Sequence, residues 1–345
     1  MMSGMTGMMS VEGLPKAYEK AQSVDVADIP VIDFGPFLTG GPEERAAVAA
    51  KIGEACERIG FFYLANHGIP QALIDETFAA SETFYRQSFA ERMKSAATLE
   101  HWRGYVPSKL EAEGGTVGGA IETYRFMLDL PWDDADVKAG KPLHLPNRWP
   151  EGLDGFKPTV EAYFDAVMGL SQHLRAAFAD ALGLPEDYFE PFYNRPVVQL
   201  SLLHYRPPAS LREEDIEIGA GEHCDTGAFT LLMQDETGGL EVQRKDGVWI
   251  AAPPIRGCYV INIGDVMMRW TNGRFRSTPH RVVNRALKPR YSIPFFANPG
   301  YDVTIAPIEA IMKPGETAQY EPLENGPYMA AFYDKGMAYL RKPKA

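Results

Sequence analysis

The stretch Gly221–Leu232, GEHCDTGAFTLL, sets two candidate metal ligands two residues apart, His223 and Asp225, with Cys224 between them. Side chains two apart on a β-strand point to the same face. An imidazole and a carboxylate in extended backbone therefore reach one ion together, while Cys224 turns to the other face and is read as a small packing residue. A third ligand of fitting type lies downstream at His280, in RFRSTPHRVVN. Two imidazoles and one carboxylate suit a non-haem Fe(II) site with open coordination positions, although ligand type alone also admits Mn, Co, Ni or Zn. A His-x-Asp pair by itself equally describes a solvated loop histidine beside a turn-forming aspartate. Arg290 and Ser292, in RYSIPFF, narrow the choice. They share one face of an expected strand by the same period of two. A guanidinium beside a hydroxyl can hold a carboxylate through charge-assisted, bidentate bonds, and a metal triad followed closely by such a clamp is hard to explain structurally.

Around these residues the chain reads as β-rich. The runs QLSLLHY, FTLLMQ, LEVQ, VWIAA, YVINIG, RFRS, HRVVN and YSIPFF are short, apolar and separated by turn signals. Among those signals are Asp246-Gly247 and Asn272-Gly273, the dipeptides most favoured in tight hairpins. Short antiparallel strands in this number make a jelly roll. Upstream, Ile29–Phe34 and FFYLAN read as strands, and Glu43–Ile59 as an amphipathic helix with Ala46, Val48, Ala49, Ile52, Ala55, Cys56 and Ile59 at helical spacing. Further helices are expected over Gln71–Phe89 and Phe156–Leu182, the latter ended by Gly183. Residues 101–125 hold five glycines and no clear periodicity after Tyr105. A long loop of this kind is often a lid; the alternative is a surface loop without a role. His67, in the NHGIP turn, and His173, in the long helix, are read as structural. His204 is read as facing packing, and Asn262, Gly264 and Asp265 as a strand end and turn without chemistry.

The bulk properties exclude some classes. The chain has 345 residues, 45% hydrophobic and 23% charged, with a net charge of −12. That is an ordinary globular composition, and a poor one for non-specific binding of nucleic acid, which needs clustered Lys and Arg. No stretch approaches the roughly 20 apolar residues of a membrane span. The opening MMSGMTGMMSVEG lacks a basic segment and a long apolar core, so residues 1–28 are expected to be a disordered leader rather than a secretory signal. Cys56, Cys224 and Cys258 have no zinc-like or redox spacing and fit a reducing cytoplasm.

Taken jointly, the motifs resemble a known family. IPVIDFGPF (Ile29–Phe37) and GFFYLANHGIP (Gly60–Pro70) are followed in order by HCDTGAFTLLMQD, GGLEVQRKDGVWIAAPP, INIGDVMMRWTNGRFRSTPHRVVN and RYSIPFFANP. From about Ile29 to about Pro299 this is similar to the isopenicillin N synthase-like branch of the Fe(II)/2-oxoglutarate-dependent oxygenases. The resemblance implies mixed α/β content, with a double-stranded β-helix (jelly-roll) core flanked by N-terminal and central helices. It implies an N-terminal region over 29–150, and the central helix and oxygenase core over 151–345, packed as one unit. It also implies Fe(II) held by His223, Asp225 and His280, 2-oxoglutarate held by Arg290, Ser292 and Tyr205, and O2 as oxidant. The expected activity is hydroxylation, desaturation or ring closure of a small organic molecule, coupled to conversion of 2-oxoglutarate to succinate and CO2. Related halogenases lack the carboxylate ligand, which Asp225 supplies here. The sequence departs from the family at Leu203, where many plant members carry asparagine, and at Arg206, which intervenes before the proline. Phe296, on the strand face of Arg290 and Ser292, and Tyr105, Tyr124 and Arg125, from the region the family places near the site's mouth, are substrate-pocket candidates. Two alternatives stay open. One is a synthase-like oxidase whose R-x-S holds the substrate's carboxylate, with no 2-oxoglutarate; the other is a non-catalytic binding protein of the same fold.

Overall fold

The computed structural model describes residues 28–108, 121–212, 216 and 218–336. The strands of its two larger sheets are, in chain order, β1 (Val31–Asp33), β2 (Phe61–Ala65), β3 (Gly104–Val106), β4 (Ile121–Met127), β5 (Gln199–Tyr205), β6 (Ile218–His223), β7 (Phe229–Gln234), β8 (Leu240–Gln243), β9 (Trp249–Ala251), β10 (Tyr259–Ile263), β11 (His280–Val283) and β12 (Arg290–Ala297). They form an eight-stranded sheet, ordered β1-β2-β10-β7-β12-β5-β4-β3, and a four-stranded sheet, β6-β11-β8-β9. Apart from the parallel β1–β2 pair, the pairings in both are antiparallel. N-terminal strands thus extend both edges of the larger sheet.

Strand alternation divides the larger sheet into two chemically different faces. Leu200, Leu202, Leu231, Tyr259, Ile261, Ile293 and Phe295 face the helices, in one core with Ile52, Phe84, Val160, Val167 and Phe178. The alternate residues Tyr63, Val260, Leu232, Leu203 and Tyr205 face the smaller sheet and meet its Leu240, Val242, Ile250 and Val282. The site described below sits between the sheets, on this inner face.

The Phe156–Leu182 helix buries Val160, Tyr163, Val167, Leu170, Leu174 and Phe178, an apolar stripe at three- and four-residue spacing. Gly183 ends it in the left-handed region at φ 71°, where the Gly183 and Leu184 amides take the carbonyls of Asp180 and Ala179. Two tyrosine hydroxyls tie helices to the sheet: Tyr259 donates to Tyr163 at 2.9 Å, and Tyr85 donates to the Leu202 carbonyl at 2.7 Å.

Several expectations need correction. RFRS is not a strand. Arg276 N–H goes to the Cys56 carbonyl and Thr278 Oγ1 to that of Ile59, so this segment's bonds are spent on the end of the Pro42–Arg58 helix. Asn272 and Gly273 do take positive φ, 50° and 83°, yet they follow the Asp265–Trp270 helix instead of closing a hairpin. The helix expected over Gln71–Phe89 stops at Tyr85, and a second one starts at Phe89, where Ser88 caps the Glu91 amide. Residues 101–125 are not one loop: β3 and β4 occupy both ends of it. Its glycine pairs lie outside the described residues, as does the expected leader apart from Asp28.

Tyr105 and Tyr124 are not in the pocket. Tyr124 is fully buried on the helix face, stacked on Phe126 and edge-on to Phe84, with its hydroxyl donated to the Arg148 carbonyl. Tyr105 is also fully buried, and its hydroxyl donates to Glu122 at 2.8 Å. Glu122 has no exposure; Arg92 Nη1 donates to both its oxygens at 2.9 and 2.8 Å, and His204 Nδ1 lies 2.7 Å away. His204 faces packing as expected, between Tyr85 and Tyr291. This cluster locks the Phe89–Met93 helix to β4 and β5. Glu122→Gln leaves Arg92 without its buried counter-charge and should cost about 3–5 kcal/mol. Urea unfolding checks this; a loss under about 1 kcal/mol, the worth of a surface pair, would show the cluster to be dispensable.

Candidate metal centre

His223 ends β6 and His280 begins β11, and the two are direct partners across the antiparallel ladder. Their rings lie 4.2 Å apart. Asp225 comes from just beyond the end of β6, so the expected shared strand stops one ligand short. A turn brings the carboxylate back. The Asp265 amide donates to the Asp225 carbonyl at 2.8 Å and the Val266 amide to that of Gly227 at 2.9 Å, so the short helix after β10 anchors the ligand loop. Asp225 Oδ1 then sits 3.7 Å from His223 Nε2 and 3.6 Å from His280 Nε2. These three are the group of His, Cys, Asp and Glu side chains among the described residues that could hold a metal, with ligand atoms within 4.8 Å of one another.

Each ligand is oriented by a partner on its far side. His223 Nδ1 is 2.7 Å from the Gly221 carbonyl and His280 Nδ1 is 3.1 Å from the Thr278 carbonyl. A carbonyl only accepts, so Nδ1 carries the proton and Nε2 presents its lone pair to the ion. Phe61 packs edge-on against His280 at 5.4 Å. Asp225 Oδ2 accepts from Thr230 Oγ1 and from Asn262 Nδ2 at 2.7 Å, which leaves Oδ1 for coordination. Burial and the neighbouring His223 lower the His280 pKa to about 4, so that imidazole is neutral at neutral pH. Burial pushes the Asp225 carboxyl up, but His280, His223, Asn262 and Thr230 outweigh it and hold it below its ordinary range. Neutral imidazoles beside an ionised carboxylate are the states that bind a divalent cation. Cys224 turns away, its Sγ 3.7 Å from the Ser277 carbonyl, and burial raises its thiol to about 11.

Arg290 and Ser292 stand together on β12. Arg290 is fully buried; Nε donates to the Gly238 carbonyl at 2.6 Å, Nη1 to Ser292 Oγ at 3.0 Å and Nη2 to Gln234 Oε1 at 2.9 Å. A guanidinium has five N–H donors, so one remains on each terminal nitrogen. No carboxylate among the described residues pairs with it. Tyr205 lies opposite Arg290 on β5, with its ring 4.6 Å from the guanidinium carbon. That placement requires Gly219, where an added Cβ would come within 2.3 Å of the Tyr205 ring. Phe296 is half-buried on the inner face, paired with Thr230 on β7, and Arg125 is half-buried on β4. Of the four pocket candidates, these two face the interior.

Thr230 and Asn262 were missed as functional residues. Thr230 was legible in FTLL, where alternation places it opposite the apolar Phe229 and Leu231. Nothing local marked Asn262 as a carboxylate partner. Thr230→Val or Asn262→Leu should weaken Fe(II) or Co(II) binding about 10–100-fold while leaving the three ligands in place. Metal titration of the purified variants checks this, and wild-type affinity in both would show that Asp225 does not need them.

Comparison with known proteins agrees with this geometry. Residues 29–152 match the family described as non-haem dioxygenase in morphine synthesis N-terminal, and residues 197–299 match the 2OG-Fe(II) oxygenase superfamily. A probable iron/ascorbate oxidoreductase of Dictyostelium discoideum is 34% identical, over 85% of this chain and 87% of its own length. A 2-oxoglutarate-Fe(II) type oxidoreductase of Emericella nidulans is 32% identical, over 85% of this chain and 86% of its own. A full-length Neurospora crassa protein solved in complex with alpha-KG and thymine superimposes with a TM-score of 0.80 at 29% identity, covering 92% of this chain and all of that one. The jelly-roll fold, the ligand set and these relatives agree, and the chain belongs to the Fe(II)- and 2-oxoglutarate-dependent non-haem oxygenases.

Proposed function

We propose that His223, Asp225 and His280 hold the catalytic Fe(II), and that Arg290, with Ser292 and Tyr205, holds the far carboxylate of 2-oxoglutarate while a small organic molecule is oxidised beside it. The observation that carries the assignment is the pair of features on one inner face: three ligand atoms within 4.8 Å of one another, and a fully buried arginine with no carboxylate partner among the described residues. A buried guanidinium without a counter-charge is costly, and a dicarboxylate supplies one. The donor set fits Fe(II) because three protein ligands leave positions open for the keto acid and O2. When bound, the iron supplies O2 activation coupled to conversion of 2-oxoglutarate into succinate and CO2.

The protein's own residues do the rest. Arg290 offers its two remaining N–H groups, and the Ser292 hydroxyl, which accepts from Nη1, keeps its proton to donate. The Tyr205 ring packs against the guanidinium. Thr230 and Asn262 keep Asp225 from rotating, so one oxygen stays aimed between the imidazoles. Phe296 and Arg125, both half-buried on the inner face, line the space left for substrate. The thymine held by the Neurospora crassa relative is a single ring, and we take the substrate here to be of comparable size. The acidic net charge argues against a nucleic-acid partner. No described helix is long and apolar enough to cross a membrane. The three free cysteines suit a reducing compartment, and we assign the protein to the cytoplasm.

Arg290→Gln removes a charge-assisted contact worth roughly 1.5–3 kcal/mol. It should raise the 2-oxoglutarate requirement about ten- to a hundredfold, with Ser292→Ala showing a smaller defect of the same kind. Succinate formation against 2-oxoglutarate concentration measures both. Full substrate turnover by the wild-type protein with no 2-oxoglutarate present would overturn the assignment of the clamp and leave the iron site standing.

A further inference from the structure

The inner face carries a polar pair that neither the iron nor the 2-oxoglutarate assignment uses. Gln199 and Ser201 stand two apart on β5, on the face shared with Leu203 and Tyr205, and Gln199 Nε2 donates to Ser201 Oγ at 2.8 Å. Gln199 is only 7% exposed, and its Oε1 has no hydrogen-bond partner among the described residues. A buried carbonyl oxygen without a donor is destabilising. The acceptor is therefore suited to a donor that arrives with a ligand.

The register fixes where this pair lies. Gln199 is opposite Phe296 on β12, and Phe296 is opposite Thr230 on β7, whose hydroxyl holds Asp225. Neighbouring strands are about 4.8 Å apart, so Gln199 stands about 10 Å along the sheet from Thr230. The half-buried Phe296 occupies the step between them. A molecule bound at Gln199 and lying over Phe296 reaches the metal ligands with its opposite edge, and that span fits one ring.

The chemistry of the pair selects the ring. With one amide N–H given to Ser201, Gln199 retains one N–H and its Oε1, a donor beside an acceptor. The complement is a cis-amide edge, N–H beside C=O, as in lactams, imides and pyrimidinones. Gln and Asn pair with donor–acceptor edges of nucleobases in the same two-bond way. A carboxylate offers acceptors alone and would set its charge against Oε1.

We propose that Gln199 and Ser201 form the subsite that orients the prime substrate, and that this substrate is a single-ring compound with a cis-amide edge. The inference rests on the iron and 2-oxoglutarate reading above. Its test is anaerobic calorimetric titration of the full chain, loaded with Fe(II) and 2-oxoglutarate, with thymine, uracil, pyrrolidone, their N-methylated counterparts and benzoate. At least one cis-amide probe should bind about tenfold or more tightly than its N-methylated form, as the loss of paired hydrogen bonds predicts. Gln199→Leu should remove that preference, and so should Gln199→Glu, which keeps the side chain's shape while replacing its remaining N–H with an acceptor. Uptake of 2-oxoglutarate, titrated first in each sample, should stay within about twofold of wild type, since neither residue touches Arg290. The inference is overturned if no cis-amide probe outbinds its N-methylated form, if benzoate binds as well as the best of them, or if the preference survives in both variants. Failure of the wild-type protein to take up 2-oxoglutarate would instead remove the reading on which it rests.

Discussion

The Asp225 carboxylate is the joint between the two sheets. One of its oxygens is held by Thr230 and Asn262, on adjacent strands of the larger sheet, and the other faces two imidazoles carried by the smaller one. Burying an ionised carboxylate is costly unless hydrogen bonds and opposite charge compensate it. Here both kinds of partner converge, and they can do so only if the sheets stand at one separation and one register. Much of the surrounding architecture serves that spacing. The helix after β10 pins the ligand loop through its first amides, and Phe61, from the N-terminal region, braces His280.

The same alternation that builds the larger sheet separates stability from chemistry. Residues facing the helices are almost all apolar and close-packed. Those facing the smaller sheet change character along their strands, from apolar contacts near Tyr63 and Val260 to the polar row of Arg290, Ser292, Gln234, Ser201 and Gln199. A substitution on the outer side acts through the core. One at the polar end of the inner side acts through the site. Neighbours in sequence such as Tyr124 and Arg125 consequently belong to different parts of the protein's physics.

How much of this was legible depended on whether the signal was local. β5, β7, β8 and β12 stand out because apolar runs of strand length are bounded by turn residues, and the long helix because its apolar stripe is continuous and ended by Gly183. Arg290 and Ser292 were readable as a pair because a period of two implies a shared face, and His223, Asp225 and His280 because their residue types suit one ion, although a turn and not a shared strand brings Asp225 to the imidazoles. β6 was harder: IGAGEH has two glycines and little apolar content, and it is a strand because β11 pairs with it. β3 and β4 were hidden by a glycine-rich interval and by polar residues pointing inward. Tyr105 and Tyr124 look like pocket aromatics until the register assigns them to the helix side. Asn262 could not be found at all, since its role is a contact with a residue 37 positions away.

The histidine Nδ1 bonds have a consequence for the life of the site. Each ring is tethered to a carbonyl two residues back along its own chain, so its aim is set by local backbone and not by the ion. The strands that carry them are held by burial of Val282 and Ala220 against Tyr205, Leu240, Val242, Ile250 and Val260, contacts that involve no ion. Folding and metal acquisition are therefore separable events, unlike in small zinc domains where binding free energy is folding free energy. A chain that loses its iron keeps a socket of the same shape, and reloading needs only a supply of the ion, not a fresh round of folding.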